Sequence, residues 1–377
     1  MAFLPLAAFA EPENADDDAA VAEEIARQTE KLDLSGWEEY FESVGRLTKS
    51  DAHTIAEFIE SRAVNGEAED PGGLFGAILV LFRAELKKSV GAAAALTAAA
   101  LLTALSGIVG DEGIRPLLGT LLCTAALTLS AAVLASLSKT TWDAVGAAGR
   151  FAEKVTPVMS ALLVSLGAPS AAGIFRPLMV FLTGTVTVLV ERAVLPIALA
   201  CGAVGIADAL TDGKQLGELI KTGQKTVKWL LGLVSTFYFG VTAVQGLTVS
   251  ARDGIAVRTA KYAIDRLAPL TGGIIGGTAD SVMACALLLK NGVGAVAVLI
   301  LLSIMLRPLI VLLTGIFVFR VSAALSAPVA DPRVPRLFSN AADVTGGLFA
   351  CAAVTGAMLL LTILVFVTSA GICAGLW

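Results

Sequence analysis

The sequence predicts an all-α, polytopic helical membrane protein with a small acidic helical N-terminal head. Three observations carry that reading. Of 377 residues, 56% are hydrophobic and only 16% charged, with a mean hydropathy of +0.81, whereas soluble domains carry about a quarter charged residues. Charge-free runs at 89–110, 116–138, 155–175, 229–251 and 344–377 each meet the roughly 20 residues needed to cross a hydrocarbon core. The charge is also divided unevenly. Residues 11–70 hold 18 acidic against 5 basic side chains, a net of -13, which leaves 14 acidic against 22 basic elsewhere. An ordinary soluble enzyme is excluded by this composition, and the acidic head argues against nucleic acid and anionic lipid surfaces as its partners.

Taken in order, residues 1–10 (MAFLPLAAFA) look like a truncated signal peptide, an apolar run ending in Ala8-Phe9-Ala10 before the polar Glu11. Such a signal would place the 11–70 head on the outer face. Within the head, Asp18 to Leu32 reads as an acidic helix. The phrase SGWEEYFESV from Ser35 spaces Trp37, Tyr40, Phe41 and Val44 for one face of a second helix. Ser50 offers a cap for a third, with Ile55, Phe58 and Ile59 as a narrow apolar edge. So small and charged a unit needs the membrane body or a partner to dock on. Residues 71–88 have about ten apolar positions followed by charges, which suits an interfacial amphipathic helix. The polytopic transmembrane domain then occupies 89–377.

Between the charge-free runs the pattern is interrupted. As one helix, 177–207 would measure about 46 Å, longer than a bilayer core, so a break is expected between Glu191 and Pro196. The stretch 267–289 contains Asp280 and the pairs Gly272-Gly273 and Gly276-Gly277 beside Pro269, a composition that favours a broken or re-entrant segment. Arg307-Pro308 separates 291–306 from 308–327. Seven to nine membrane segments follow. Two basic connections, Lys214 to Lys228 and Arg252 to Arg266, are both cytoplasmic candidates by the positive-inside rule.

Charged residues at membrane depth are the candidate functional positions: Arg176, Glu191, Arg192, Asp280, Lys290 with Asn291, Arg307 and Arg320. Snorkelling at helix ends is the competing reading for Arg176-Pro177, Arg307-Pro308 and Lys290. Asp280 is the strongest single candidate, and Lys290, Arg307 or Arg192 are its expected partners. The small residues Gly272, Gly273, Gly276 and Gly277 suit close helix packing. The five cysteines are widely separated and His53 is the single histidine. Neither a metal site nor a Ser/His/Asp or Cys/His constellation is therefore expected. With no phosphate-binding loop or dinucleotide fingerprint in the sequence, neither catalytic residues nor a cofactor is expected.

The stretch AVRTAKYAIDRLAPLTGGIIGGTADSVMACALLLKNGVGAVAVLILL from Ala256 to Leu302, then Arg307-Pro308 and RVSAALSAPVADPRV from Arg320 to Val334, resembles the stage III sporulation protein AE family. The head phrase LDLSGWEEYF and the FRAELKKS stretch also fit. The resemblance implies a subunit of the channel or secretion-like complex connecting mother cell and forespore during endospore formation. It further implies a cytosolic ATPase subunit, ring-forming subunits and a forespore membrane partner, with this chain in the mother-cell membrane surrounding the forespore as scaffold or export gate. The alternative is an autonomous secondary transporter with a site at broken helices near Glu191 and Asp280.

Overall fold

A computed structural model describes residues 23–30, 32, 34, 37–40, 54–59, 71–105, 115–166, 169–210, 216–267, 272–328 and 330–374; side chains of 244–267 and 272–284 are outside the description. Among the described residues the regular structure is entirely helical. The signal-like segment 1–10 and much of the head lie outside them. The helices are α1 (Pro71–Leu105), α2 (Arg115–Ser165), α3 (Pro169–Leu189), a π-helical turn (Val190–Val194), α4 (Leu195–Leu210), α5 (Gly217–Leu267), α6 (Gly272–Ser326) and α7 (Arg333–Ala374).

Six helical stretches among the described residues are long and apolar enough to cross a membrane, against the seven to nine segments expected. The difference has one physical cause: charges and prolines interrupt the apolar runs without interrupting the helices. Residues 155–165 complete α2 and are not a separate span. Pro308 lies inside α6, which unites three expected segments, and the expected interfacial helix 71–88 continues directly into the first span as α1. Gly272 and the following glycines open α6, so the boundary falls before them.

The break expected after Glu191 is instead a widened turn, in which the Leu195 N–H donates to the Val190 carbonyl five residues back. Pro196 explains the location. It cannot donate to the carbonyl of Arg192, and a π turn absorbs the resulting mismatch without ending the helix.

Helices α2, α5, α6 and α7 contain 51, 51, 55 and 42 residues, or about 76, 76, 82 and 63 Å at 1.5 Å per residue. Hydrocarbon is only about 30 Å thick. Even a 40° tilt, the steep end of the usual range, leaves a 76 Å helix spanning about 58 Å along the normal. The bundle is therefore taller than the bilayer it crosses. One consequence corrects the reading of the loops. The described part of the first connection, Gly217 to Lys228, and Arg252 to Arg266 sit toward opposite ends of α5 and cannot both be cytoplasmic if that helix crosses once.

The antiparallel hairpin of α6 and α7 is the most closely packed pair, and α2, α1 and α5 surround it. Asp331 sets the start of α7, accepting from the Arg333 N–H through Oδ1 at 2.9 Å and from the Val334 N–H through its carbonyl at 3.0 Å. Pro332 suits a first helical turn, where its missing N–H costs nothing. Hydroxyls inside the bundle are satisfied mostly within their own helix, as in Thr141 to Leu137, Thr156 to Ala152 and Thr345 to Ala341. Tyr238 is an exception, donating across helices to the Met358 carbonyl at 2.9 Å. The described cysteines, Cys123, Cys201, Cys285 and Cys351, are buried free thiols.

The head docks on the bundle. Ile25, Trp37, Ile55, Phe58 and Ile59 are all buried in one apolar cluster with Phe151, Val155 and Met159 of α2 and Cys285 and Leu289 of α6. Phe151 is the centre of that contact, meeting Trp37 edge-on at 5.4 Å and Tyr40 at 5.3 Å. Lys154 adds an ion pair to Glu39 at 3.5 Å and lies over the Tyr40 ring. Magnitudes decide which matters: each large apolar side chain buried contributes about 1.5–3 kcal/mol, an exposed ion pair about 0–1 kcal/mol. Phe151→Ala is therefore expected to cost about 3–5 kcal/mol and to speed trypsin cleavage in the head at Arg27. Lys154→Ala is expected to leave the cleavage rate nearly unchanged.

Candidate functional site

The structure distributes the expected membrane-depth charges rather than gathering them. Glu191 is half-buried in the π turn and faces α2, where a Cβ built on Gly146 would lie 2.9 Å from its Oε1 and 3.2 Å from Nη1 of Arg150. Its neighbour Arg192 is exposed on another face, as adjacent helical residues must be. Arg307 is also exposed and lies 3.8 Å from Glu85 of α1, which in turn accepts from Lys88 at 3.1 Å. Lys290 is 1% exposed inside the apolar cluster beneath the head, while Asn291 is half-buried. Arg176 is exposed near the start of α3. The side chain of Asp280 lies outside the described residues. Arg307 meets Glu85, and the pairing expected for Asp280 lies outside the described residues.

The surroundings of Gly272, Gly273, Gly276 and Gly277 lie outside the described residues, and glycines at other positions pack closely between helices. A methyl group built on Gly149 would sit 2.6 Å from Thr187 Oγ1, one on Gly202 2.8 Å from Leu134 and one on Gly315 2.7 Å from Leu137. Gly294 is pressed directly against Val367 of α7. In each place two helices approach at a distance that only a hydrogen side chain permits. Gly346 and Gly347 differ, because a methyl on either would meet open space.

That space is a cavity of about 240 Å³ between α4, α5, α6 and α7. Its polar lining consists of Gln224 and Lys228 from α5, Arg320 from α6 and Asp343 from α7, against apolar walls that include Ala198, Cys201 and Val344. Arg320 donates through Nη2 to Asp343 Oδ1 at 2.5 Å and through Nη1 to Ser339 Oγ at 3.3 Å. Neither Asp343 nor Gln224 is among the residues selected from the sequence. A signal for the ion pair was present nonetheless: Arg320 and Asp343 are nearly equidistant from the Pro328 to Pro332 turn, and an antiparallel hairpin puts such positions opposite one another. Among the described residues no three His, Cys, Asp or Glu side chains gather as a metal-ligand set.

The family profile described as stage III sporulation protein AE matches residues 54–370, which takes in all of the helical bundle but the last four residues of α7. This chain belongs to the stage III sporulation protein AE family. A curated relative from Bacillus subtilis (strain 168), named Stage III sporulation protein AE, is 28% identical over 227 residues, covering 60% of this chain. The match spans 57% of that relative's length. No solved structure matches the chain. Family membership gives a role in sporulation, and the six apolar helical stretches make the chain a multi-pass membrane protein.

The glycine contacts lead to a graded expectation. Gly294→Ala and Gly149→Ala each overfill a helix contact and are expected to destabilise by about 1–3 kcal/mol. Gly346→Ala meets open space and is expected to be neutral or to gain up to about 1 kcal/mol from helix propensity. Thermal unfolding of the three variants in detergent measures the difference.

Proposed function

We propose that this chain is a non-enzymatic scaffold or export-gate subunit of a secretion-like channel complex, seated in the mother-cell membrane that surrounds the forespore. The observation that supports this reading most is the height of the bundle. Helices of about 63–82 Å crossing a core of about 30 Å project rigid, side-by-side surfaces beyond the lipid, and the head is strapped onto one projecting end through Phe151. A protein that only had to enclose a midplane solute site would have no need of such projections. A platform for ring-forming subunits and a forespore membrane partner on one side, and for a cytosolic ATPase subunit on the other, uses both ends.

In this arrangement the head is extracytoplasmic and the first turns of α5, with Lys221, Lys225 and Lys228, face the mother-cell cytoplasm, an orientation that rests on the signal-like start and leaves the basic Arg252 to Arg266 segment outside, against the positive-inside rule. Cysteines introduced at Glu38 and at Lys221, with native cysteines replaced by alanine, test the orientation. With the chain produced in vegetative cells, where it sits in the cell-surface membrane, a membrane-impermeant thiol reagent applied from outside should label the Glu38 position alone. Labelling confined to the Lys221 position would reverse the orientation.

The functional test is genetic and biochemical. Deletion should arrest development after engulfment and leave vegetative growth normal. The tagged chain should copurify with ATPase and ring subunits from sporulating cells. The π turn, a feature frequent at functional sites, favours the transporter alternative near Glu191, and solute uptake by the isolated chain in liposomes would establish it.

A further inference from the structure

We propose that the cavity between α4, α5, α6 and α7 binds the phosphodiester headgroup of an anionic phospholipid. Its charge is suited to one: Lys228 and Arg320 against Asp343 leave a single net positive charge, complementary to a phosphodiester monoanion. Asp343 is engaged through Oδ1 by Arg320 in the 2.5 Å hydrogen bond, so its charge is largely offset by the guanidinium and the excess positive charge of the lining is left to Lys228. That bond and the one to Ser339 also hold the guanidinium in place, which leaves its remaining N–H groups as oriented phosphate donors. The Gln224 amide supplies a neutral donor on the same lining.

Size and position point to the same ligand. At about 240 Å³ the cavity is smaller than the roughly 300–1,000 Å³ typical of drug-sized ligands, in keeping with a headgroup. The pair Gly346 and Gly347 removes side chains where α7 faces it, and both added methyls would enter open space. One residue beyond Lys228, Trp229 is 65% exposed, and Leu233 and Phe237 continue its exposed apolar face along α5. An exposed Trp beside a Lys at the start of an apolar helical face marks the membrane–water interface. The cavity therefore lies where headgroups end and acyl chains begin, which distinguishes a lipid from a free phosphate. Ile316 and Arg320 place it about 45 Å along α6 from the head-docking residues Cys285 and Leu289, and basic pockets between membrane helices are established sites for anionic headgroups.

The test uses the full chain in neutral detergent with phosphatidylglycerol, phosphatidylcholine and inorganic phosphate as probes, read by thermal unfolding and native mass spectrometry. Phosphatidylglycerol should raise the unfolding midpoint and remain bound at a single lipid per chain, with phosphatidylcholine weaker by about tenfold or more. Lys228→Gln, an exposed position, and Gly347→Leu, which fills the cavity, should each weaken phosphatidylglycerol by a similar factor without lowering the lipid-free midpoint. Equal binding of the two lipids, or unchanged phosphatidylglycerol binding in Lys228→Gln, would overturn the proposal. Equal stabilisation by inorganic phosphate alone would make this a free-anion site and overturn the lipid assignment.

Discussion

The register of the α6–α7 hairpin is the constraint on which the rest of the bundle depends. Gly294 meets Val367, Met305 meets Gly356, Gly315 approaches Thr345 and Arg320 pairs with Asp343. Every one of these pairs is centred within the turn between the two helices. A slip by one residue along either helix would turn each contact by about 100°, replacing glycines with side chains where the backbones come closest. The remaining helices then use what the hairpin presents. Leu137 of α2 fills the space left by Gly315, Leu134 fills that left by Gly202 of α4, and Tyr238 fastens α5 to the Met358 carbonyl. Packing specificity in such a body comes from small residues and shape, since lipid is as apolar as the helix faces and supplies no hydrophobic drive between them.

Hydropathy made the membrane body and the acidic head legible, because a stretch of roughly 20 residues without charge suits hydrocarbon and little else. Helix continuity was not legible in the same way. Arg307-Pro308, Glu191-Arg192 and the 139–154 region look like ends of spans, since each stops an apolar run, yet α6 and α2 pass through the first and third, and the second is a π turn. A helix that continues beyond the hydrocarbon no longer needs apolar residues, so composition records the lipid boundary and not the end of the rod. Partners separated far in the chain were hidden altogether. Trp37 was recognisable as part of an apolar face, but nothing in its neighbourhood names Phe151, and the approach of Arg307 to Glu85 depends on how α1 lies along α6.

Both ends of the bundle are packed on apolar cores, and they differ in what interrupts the packing. At the head end, burial dominates: Trp37, Phe58, Ile25 and Phe151 are each at most 1% exposed, and the Lys154–Glu39 pair lies at the surface. At the other end the glycine pair of α7 keeps volume empty, and the charges lining it are held by hydrogen bonds rather than by close packing. Apolar contact, which pH and salt barely affect, thus fixes both ends, since Phe319, Leu337 and Phe338 pack beside the cavity, while the exposed Arg320–Asp343 pair is the part that ions at the surface can screen.

The π turn at Val190–Val194 sets an angular phase. It holds one residue more than the α-helical turn it replaces, so everything C-terminal to it is rotated by roughly 100° relative to an uninterrupted helix. Ala198 and Cys201, which line the cavity, and Gly202, which receives Leu134, all lie downstream. Their common direction is therefore inherited from a single extra residue upstream. For this stretch of chain, deleting one residue within the turn would convert it to an ordinary α turn and leave both α3 and α4 facing as they do, whereas losing the π turn without a deletion would rotate α4 by roughly 100° about its own axis. The tolerance of this region to insertion and deletion is therefore governed by phase, not by length.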